Sequence, residues 1–154
     1  MSVKLTVVSD IHYDGGRLER LLPIINSSDG CIFCGDGATE FMRVWGGIIV
    51  PTVCVRGNND FYCNWGDDAA VEIGGKKIFV THGHRLGVKC GLSALACAAK
   101  DRGCDVAIFG HTHAFCDTSL QGVRLINAGA LCNGSYATVT IADSDVECKR
   151  CSAV

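Results

Sequence analysis

Every one of the five histidines in this chain falls in one of three short strings: Ser9-Asp10-Ile11-His12, Thr81-His82-Gly83-His84 and Gly110-His111-Thr112-His113. Two further strings, Cys34-Gly35-Asp36 and Arg56-Gly57-Asn58-Asn59-Asp60, add carboxylates and carboxamides. Asp and His are ligands suited to divalent ions such as Mn²⁺, Zn²⁺, Fe²⁺, Ni²⁺ or Co²⁺, and the interspersed glycines allow the backbone to turn sharply between them. Asp10, His12, Asp36, Asn58, His82, His111 and His113 together offer more donors than one ion needs. They suffice for two ions if one carboxylate is shared, with waters completing the shells.

Such residues must be carried to one place by the elements that precede them. Each string follows a short apolar run, the pattern of strands whose ends converge on a site in open α/β sheets. Lys4 to Val8, Cys31 to Cys34 and Ile49 to Val55 read as strands, separated by a helix built on Leu18, Leu21, Leu22 and Ile25 and a shorter one from Ala38 to Trp45. Pro23 inside the first helix is expected to kink or shorten it. The stretch from Val44 to Val55 is charge-free and is expected in the core. Gly74-Gly75 marks a hairpin between Val71–Ile73 and Lys76–Val80. Beyond it come an Ala-rich helix from Leu92 to Lys100 and strands at Val106–Phe109, Phe115–Leu120, Val123–Ile126, Tyr136–Ile141 and Val146–Cys148. The expected fold is α/β: two packed mixed β-sheets flanked by helices, in a single domain over residues 1–154.

In order and spacing the five strings resemble the calcineurin-like metallophosphoesterase superfamily, whose pattern runs Asp-x-His, Gly-Asp, Gly-Asn-x-Asp/Glu, His and Gly-His-x-His, and in particular its small, cap-less phosphodiesterase branch of the YfcE type. The resemblance covers Val3 to about Ile141. It implies that Asp10, His12, Asp36 and His113 hold one metal, and that Asp36, Asn58, His82 and His111 hold a second, with Asp36 as the bridge. The two ions are expected to be Mn²⁺, with Zn²⁺, Ni²⁺, Fe²⁺ or Co²⁺ as alternatives. Two divalent ions against two carboxylates leave a positive cluster that attracts phosphate, and hydroxide shared by the ions would attack phosphorus. Asp36, Asn58 and His84 are the expected catalytic groups, His84 being read either as a leaving-group acid or as a solvated loop histidine.

Two positions depart from the pattern of larger relatives. Those relatives carry a His after the motif Asn, paired with an Asp three residues past the motif Gly-Asp; here the positions are Asn59 and Thr39. The joint replacement implies another way of accommodating the leaving group, and protonation at that point typically contributes 10²–10⁴-fold. Asn127 and Gly129 read by themselves as turn residues, although the resemblance places them near the site. Arg56 is either a phosphate contact or a partner of a surface carboxylate.

The net charge of -2, from 14 basic and 16 acidic residues, speaks against a nucleic-acid polymer or an anionic membrane as partner. A small phosphate ester fits better. Nothing in the first residues has the form of a signal peptide, and eleven cysteines, an odd number set mostly in apolar runs, are expected to be reduced thiols in the cytoplasm. Cys31 and Cys34 should face opposite sides of a strand, and the Cys148–Cys151 pair is expected in a frayed tail. A mean hydropathy of +0.25 is compatible with a homo-oligomer. The leading expectation is a dimetal phosphodiesterase; the alternative is a protein-binding scaffold like the retromer subunit of the same fold, which has lost metal ligands.

Overall fold

In the computed structural model, which describes residues 2–154, alternating residues of the central strands divide between two interiors. Strands β1 (Ser2–Val8), β2 (Gly30–Phe33) and β3 (Thr52–Cys54) pair in parallel, and β9 (Ser135–Ala142) and β10 (Asp145–Ser152) extend the sheet antiparallel in the order β10-β9-β1-β2-β3. The second sheet has the order β4-β5-β6-β8-β7. In it β5 (Lys76–Thr81), β6 (Val106–Phe109) and β8 (Val123–Ala128) are parallel, while β4 (Asp68–Ile73) and β7 (Phe115–Leu120) are antiparallel edges. Leu5, Val7 and Ile32 of the first sheet pack on Ile78, Val80 and Ile108 of the second. Their neighbours Val8, Cys31 and Phe33 turn outward onto α1 (Gly15–Ser27) and α2 (Ala38–Val44), and Phe79, Ala107 and Phe109 turn outward onto α3 (Ser93–Asp101). The period of two along each strand thus yields the expected arrangement of two mixed sheets between helices.

Three local expectations are corrected. Helix α1 runs on through Pro23 to Ser27. The proline can donate no bond to the Glu19 carbonyl, but both residues lie on the exposed face, where water can serve that oxygen. The charge-free stretch from Val44 to Val55 is core only in part: Val55 is fully buried, but a 3-10 turn over Trp45–Gly47 and the exposed Ile49 and Pro51 precede a strand only three residues long. Pro51 has no N–H for a ladder, so pairing starts after it. The chain end is no frayed tail either, because β10 pairs with β9 from Asp145 through Ser152. Cys148 packs toward the inter-sheet core and Cys151 toward the helical side, so the two thiols cannot share an ion. Cys31 and Cys34 are divided in the same way, as expected.

The parallel strands of both sheets end at one edge of the sandwich, which brings the five polar strings together. Asp10 and His12 follow β1, Asp36 follows β2, Asn58 follows β3, His82 follows β5 and His111 follows β6. Among the described residues no helix is long and apolar enough to cross a membrane.

Candidate metal centre

The strand-end loops take a backbone form that L-residues rarely adopt. Nine described non-glycine residues have positive φ. Asp10 (56°), His12 (43°), Tyr13 (70°), Asp36 (63°), His111 (72°) and His113 (63°) surround one spot, whereas Gln121, Asp143 and Ser144 sit in hairpin turns. Left-handed backbone costs roughly 1–2 kcal/mol per residue, and clusters of it mark sites where geometry is imposed by function. Hydrogen bonds impose it here. The Asp10 and Ile11 amides donate to the Gly35 and Asp36 carbonyls at 2.9 and 2.8 Å, and the Cys132 amide donates to the Asp10 carbonyl at 3.2 Å. Two glycines permit the close approach. A Cβ on Gly57 would overlap the Asp36 carboxylate, and one on Gly110 would overlap Ser9.

Two triads result. Asp10, His12 and His113 present ligand atoms within 4.8 Å of one another, as do Asp36, His82 and His111. In the first, Asp10 Oδ1 lies 3.3 Å from His12 Nε2 and 3.2 Å from His113 Nε2, which are themselves 3.0 Å apart. In the second, His82 Nε2 lies 3.3 Å from Asp36 Oδ2 and 3.2 Å from His111 Nδ1. Asp36 Oδ2 is also 3.7 Å from His12 Nε2, so this oxygen stands between the triads.

Each carboxylate is aimed by its neighbours. Asp10 Oδ2 accepts from Ser9 Oγ at 2.6 Å and the His111 amide at 3.1 Å, which leaves Oδ1 facing the imidazoles. Asp36 accepts from the Asn59 amide at Oδ1 and from Asn59 Nδ2 at Oδ2, both at 2.9 Å. Burial pushes the Asp36 carboxyl up, but His82 and the two Asn59 donors outweigh it and hold the group well below the usual carboxylate range. For His82, burial opposes protonation while Asp36, Asp10 and the Cys34 carbonyl favour it, with a net upward shift.

These contacts can be tested against a cation. His82 Nδ1 is 2.7 Å from the Cys34 carbonyl, which can only accept, so Nδ1 carries the hydrogen. In the neutral ring the Nε2 lone pair then points at a carboxylate oxygen, an acceptor against an acceptor. The Nε2 atoms of His12 and His113 also face each other beside Asp10 Oδ1, converging on one point. A cation removes the conflict at His82, and two carboxylates with four imidazoles are the donor set that borderline divalent ions prefer. The fixed Nδ1–H of His82 is also the usual outer partner of a ligating histidine.

Six of the seven expected ligands therefore converge. The Asn58 side chain is exposed and hydrogen-bonds to no other described residue; it lines a groove of about 370 Å³ with Asp67, His84 and Arg85. It is Asn59 that grips Asp36. His84 lies outside both triads, its ring centroid 5.4 Å from His82 and 6.1 Å from His111, with a buried Nδ1 that has no partner among the described residues. Burial first, and His82 second, hold its pKa below the ordinary value. Arg56 pairs with Asp67 at 3.0 Å.

Three supports escaped the reading of single residues. Asp60 accepts the amides of Asp36, Gly37, Ala38 and Gly57 at 2.8–3.0 Å, fixing the Asp36 turn; its place at the end of the Gly57–Asp60 string was the available signal. Asn127 is no turn residue. It is buried at the end of β8, donating to the Gly110 carbonyl at 3.1 Å and Thr112 Oγ1 at 3.0 Å, and so holds the His111 loop. Arg17 donates to the Leu131 and Cys132 carbonyls at 3.1 and 2.6 Å, behind Asp10, and nothing local in the sequence marks it.

Residues 3–147 match the family model of the calcineurin-like phosphoesterase superfamily domain. The chain belongs to that superfamily. Among curated relatives it is 29% identical to phosphodiesterase MJ0936 of Methanocaldococcus jannaschii, over 96% of each chain. Among solved structures it superposes on a predicted phosphoesterase from Streptococcus pneumoniae with a TM-score of 0.84, at 24% identity over 99% of this chain and 90% of that one. Vps29 of Entamoeba histolytica, crystallised with Zn²⁺, has the same fold, with a TM-score of 0.73 at 21% identity over 97% and 98% of the two chains. Proteins of this fold thus include both phosphoesterases and Vps29, and fold alone does not choose between them.

Proposed function

We propose that this phosphoesterase is a two-metal phosphodiesterase acting on small phosphate esters, nucleotide-derived ones included. The observation that carries this reading is the meeting of the two triads at Asp36 Oδ2, the atom that would be shared if both ions were bound. Asp10, His12 and His113 would hold one ion and Asp36, His82 and His111 the other, with Asp36 shared and Asn58 swinging inward from the rim as the remaining ligand. When bound, such a pair of ions acidifies water to supply the nucleophile and neutralises phosphoryl oxygens.

The chain's own groups do the positioning. Ser9 and the His111 amide fix the Asp10 carboxylate, Asn59 fixes Asp36, and the Cys34 carbonyl sets the His82 tautomer. His84 lines the groove beside the second triad together with Asn58 and would contact the departing ester oxygen there. Eleven unpaired thiols fit a reducing cytoplasm. The scaffold alternative is not favoured, because a protein that only docks partners has no use for two aligned donor triads held in costly backbone.

The test is turnover of bis(p-nitrophenyl) phosphate with Mn²⁺ added. Hydrolysis that EDTA abolishes and that Asp36→Asn removes is expected. A metal-loaded protein that turns over no diester and no monoester overturns the proposal.

A further inference from the structure

The side of the centre next to His12 and Asp36 opens into a cavity of about 400 Å³, walled by Tyr13, Thr39 and Arg43. A second hollow of about 120 Å³ adjoins it, with Met42, Phe61 and Tyr62 on its walls. Thr39, Asn59 and Asp60 line both, so the two spaces meet at these residues. Thr39 and Asn59 are the positions at which larger relatives carry the Asp–His pair. A threonine and an asparagine turned onto Asp36 occupy that ground here, and they form the passage from the metal centre to the hollow.

What lies beyond the passage is unusual for a protein surface. Tyr13 is 92% exposed, Phe61 78%, Tyr62 102% and Met42 46%. These are four of the eight exposed large hydrophobic side chains among the described residues, and all four wall this pair of spaces. Scattered apolar side chains need no explanation, but a group gathered at the mouth of a polar site does. Two adjacent aromatic rings on the loop that also carries Asn58 and Asn59 offer stacking faces within reach of the centre, and every nucleobase has a face to stack.

We infer that the passage over Thr39 and Asn59, with Phe61 and Tyr62 beyond it, is the subsite for a nucleoside substituent of the phosphodiester: phosphorus sits at the two triads and the base stacks on this aromatic shelf. The loss of the Asp–His pair is then a specificity device, trading a group beside the leaving oxygen for room alongside the phosphate. The inference rests on the proposed phosphodiesterase activity and narrows its substrate class. No covalent step differs from simple ester hydrolysis.

The experiment compares two diesters with one leaving group, thymidine 5′-(p-nitrophenyl phosphate) and ethyl p-nitrophenyl phosphate, in wild type and in the Phe61→Ser/Tyr62→Ser double variant with Mn²⁺. Wild type should favour the thymidyl ester in kcat/KM by about tenfold, the scale of one base–aromatic stack, and the double variant should bring the ratio near one. A ratio cancels any loss of folded protein. Calorimetric titration of thymidine 5′-monophosphate against methyl phosphate, again with Mn²⁺, should show the same preference and the same loss. Equal treatment of the two esters by wild type, or a preference that survives in the double variant, overturns the inference and leaves the phosphodiesterase reading standing. If neither ester turns over while the nucleotide still binds through Phe61 and Tyr62, the activity falls and the subsite stands. A double variant that changes the oligomeric state of the protein in light scattering assigns the shelf to a second copy and also overturns the inference.

Discussion

The two triads differ in how firmly the protein holds them. Asp36 and His82 are buried, and His82 is anchored through its second nitrogen to the Cys34 carbonyl. In the other triad only Asp10 is buried; His12 is half-buried, His113 is exposed, and neither ring hydrogen-bonds through its second nitrogen to another described residue. Outer partners fix ring orientation and raise affinity by 10–100-fold. One half of the centre is therefore the more rigid seat and the other the more adjustable one, and they meet at Asp36 Oδ2.

The strongest break of this asymmetry is at the joint itself. Asp36→Asn removes charge from both halves, and kcat/KM on a chromogenic diester should fall by about 10³-fold or more; elemental analysis should find metal lost from both seats. Next in size is the separation between the seats: a Mn²⁺ titration followed by calorimetry should resolve two steps roughly 10–100-fold apart in affinity, and His113→Ala should delete only the weaker. A single step would dissolve the distinction. A third comparison is of stability. His82→Ala leaves a cavity and strands the Cys34 carbonyl, a loss of about 2 kcal/mol in urea unfolding, whereas His113→Ala on the surface should stay within about 0.5 kcal/mol.

The smallest effect sharpens the contrast through thiols. Cys34, behind the rigid half, is fully buried with its pKa raised well above the ordinary value by burial and then by Asp10; Cys132, behind Asp10 in the other half, is only half-buried, though burial and Asp10 push it up as well. Raised values keep both thiols protonated at neutral pH, so raising the pH should speed modification of Cys132 and leave Cys34 untouched. Mass spectrometry after brief iodoacetamide treatment distinguishes them.

Much of this centre was legible because its residues come in pairs one apart. Asp10 with His12 and His111 with His113 state their purpose by spacing, and the apolar runs before them mark the strands that carry them. Asp60 and Asn127 are less legible because their work is done on backbone groups of loops distant in sequence, which no local pattern encodes. Asn58 and Asn59 show a finer limit: two identical residue types side by side, of which the turn presents one to Asp36 and the other to solvent. Val44 to Val55 misleads for the opposite reason. Its composition is that of a core strand throughout, but Gly46, Gly47 and Pro51 keep the residues before Thr52 out of the ladder.

The left-handed conformation of Asp10, His12, Asp36, His111 and His113 also sets a direction for protein engineering. Glycine at the incompletely buried His12, His111 and His113 would relieve an unfavourable torsion without stranding a buried donor, so a search that rewards only thermal resistance should drift toward glycine there and yield hardier molecules with empty hands. Charged and imidazole side chains persist at such places only where something other than durability is being selected.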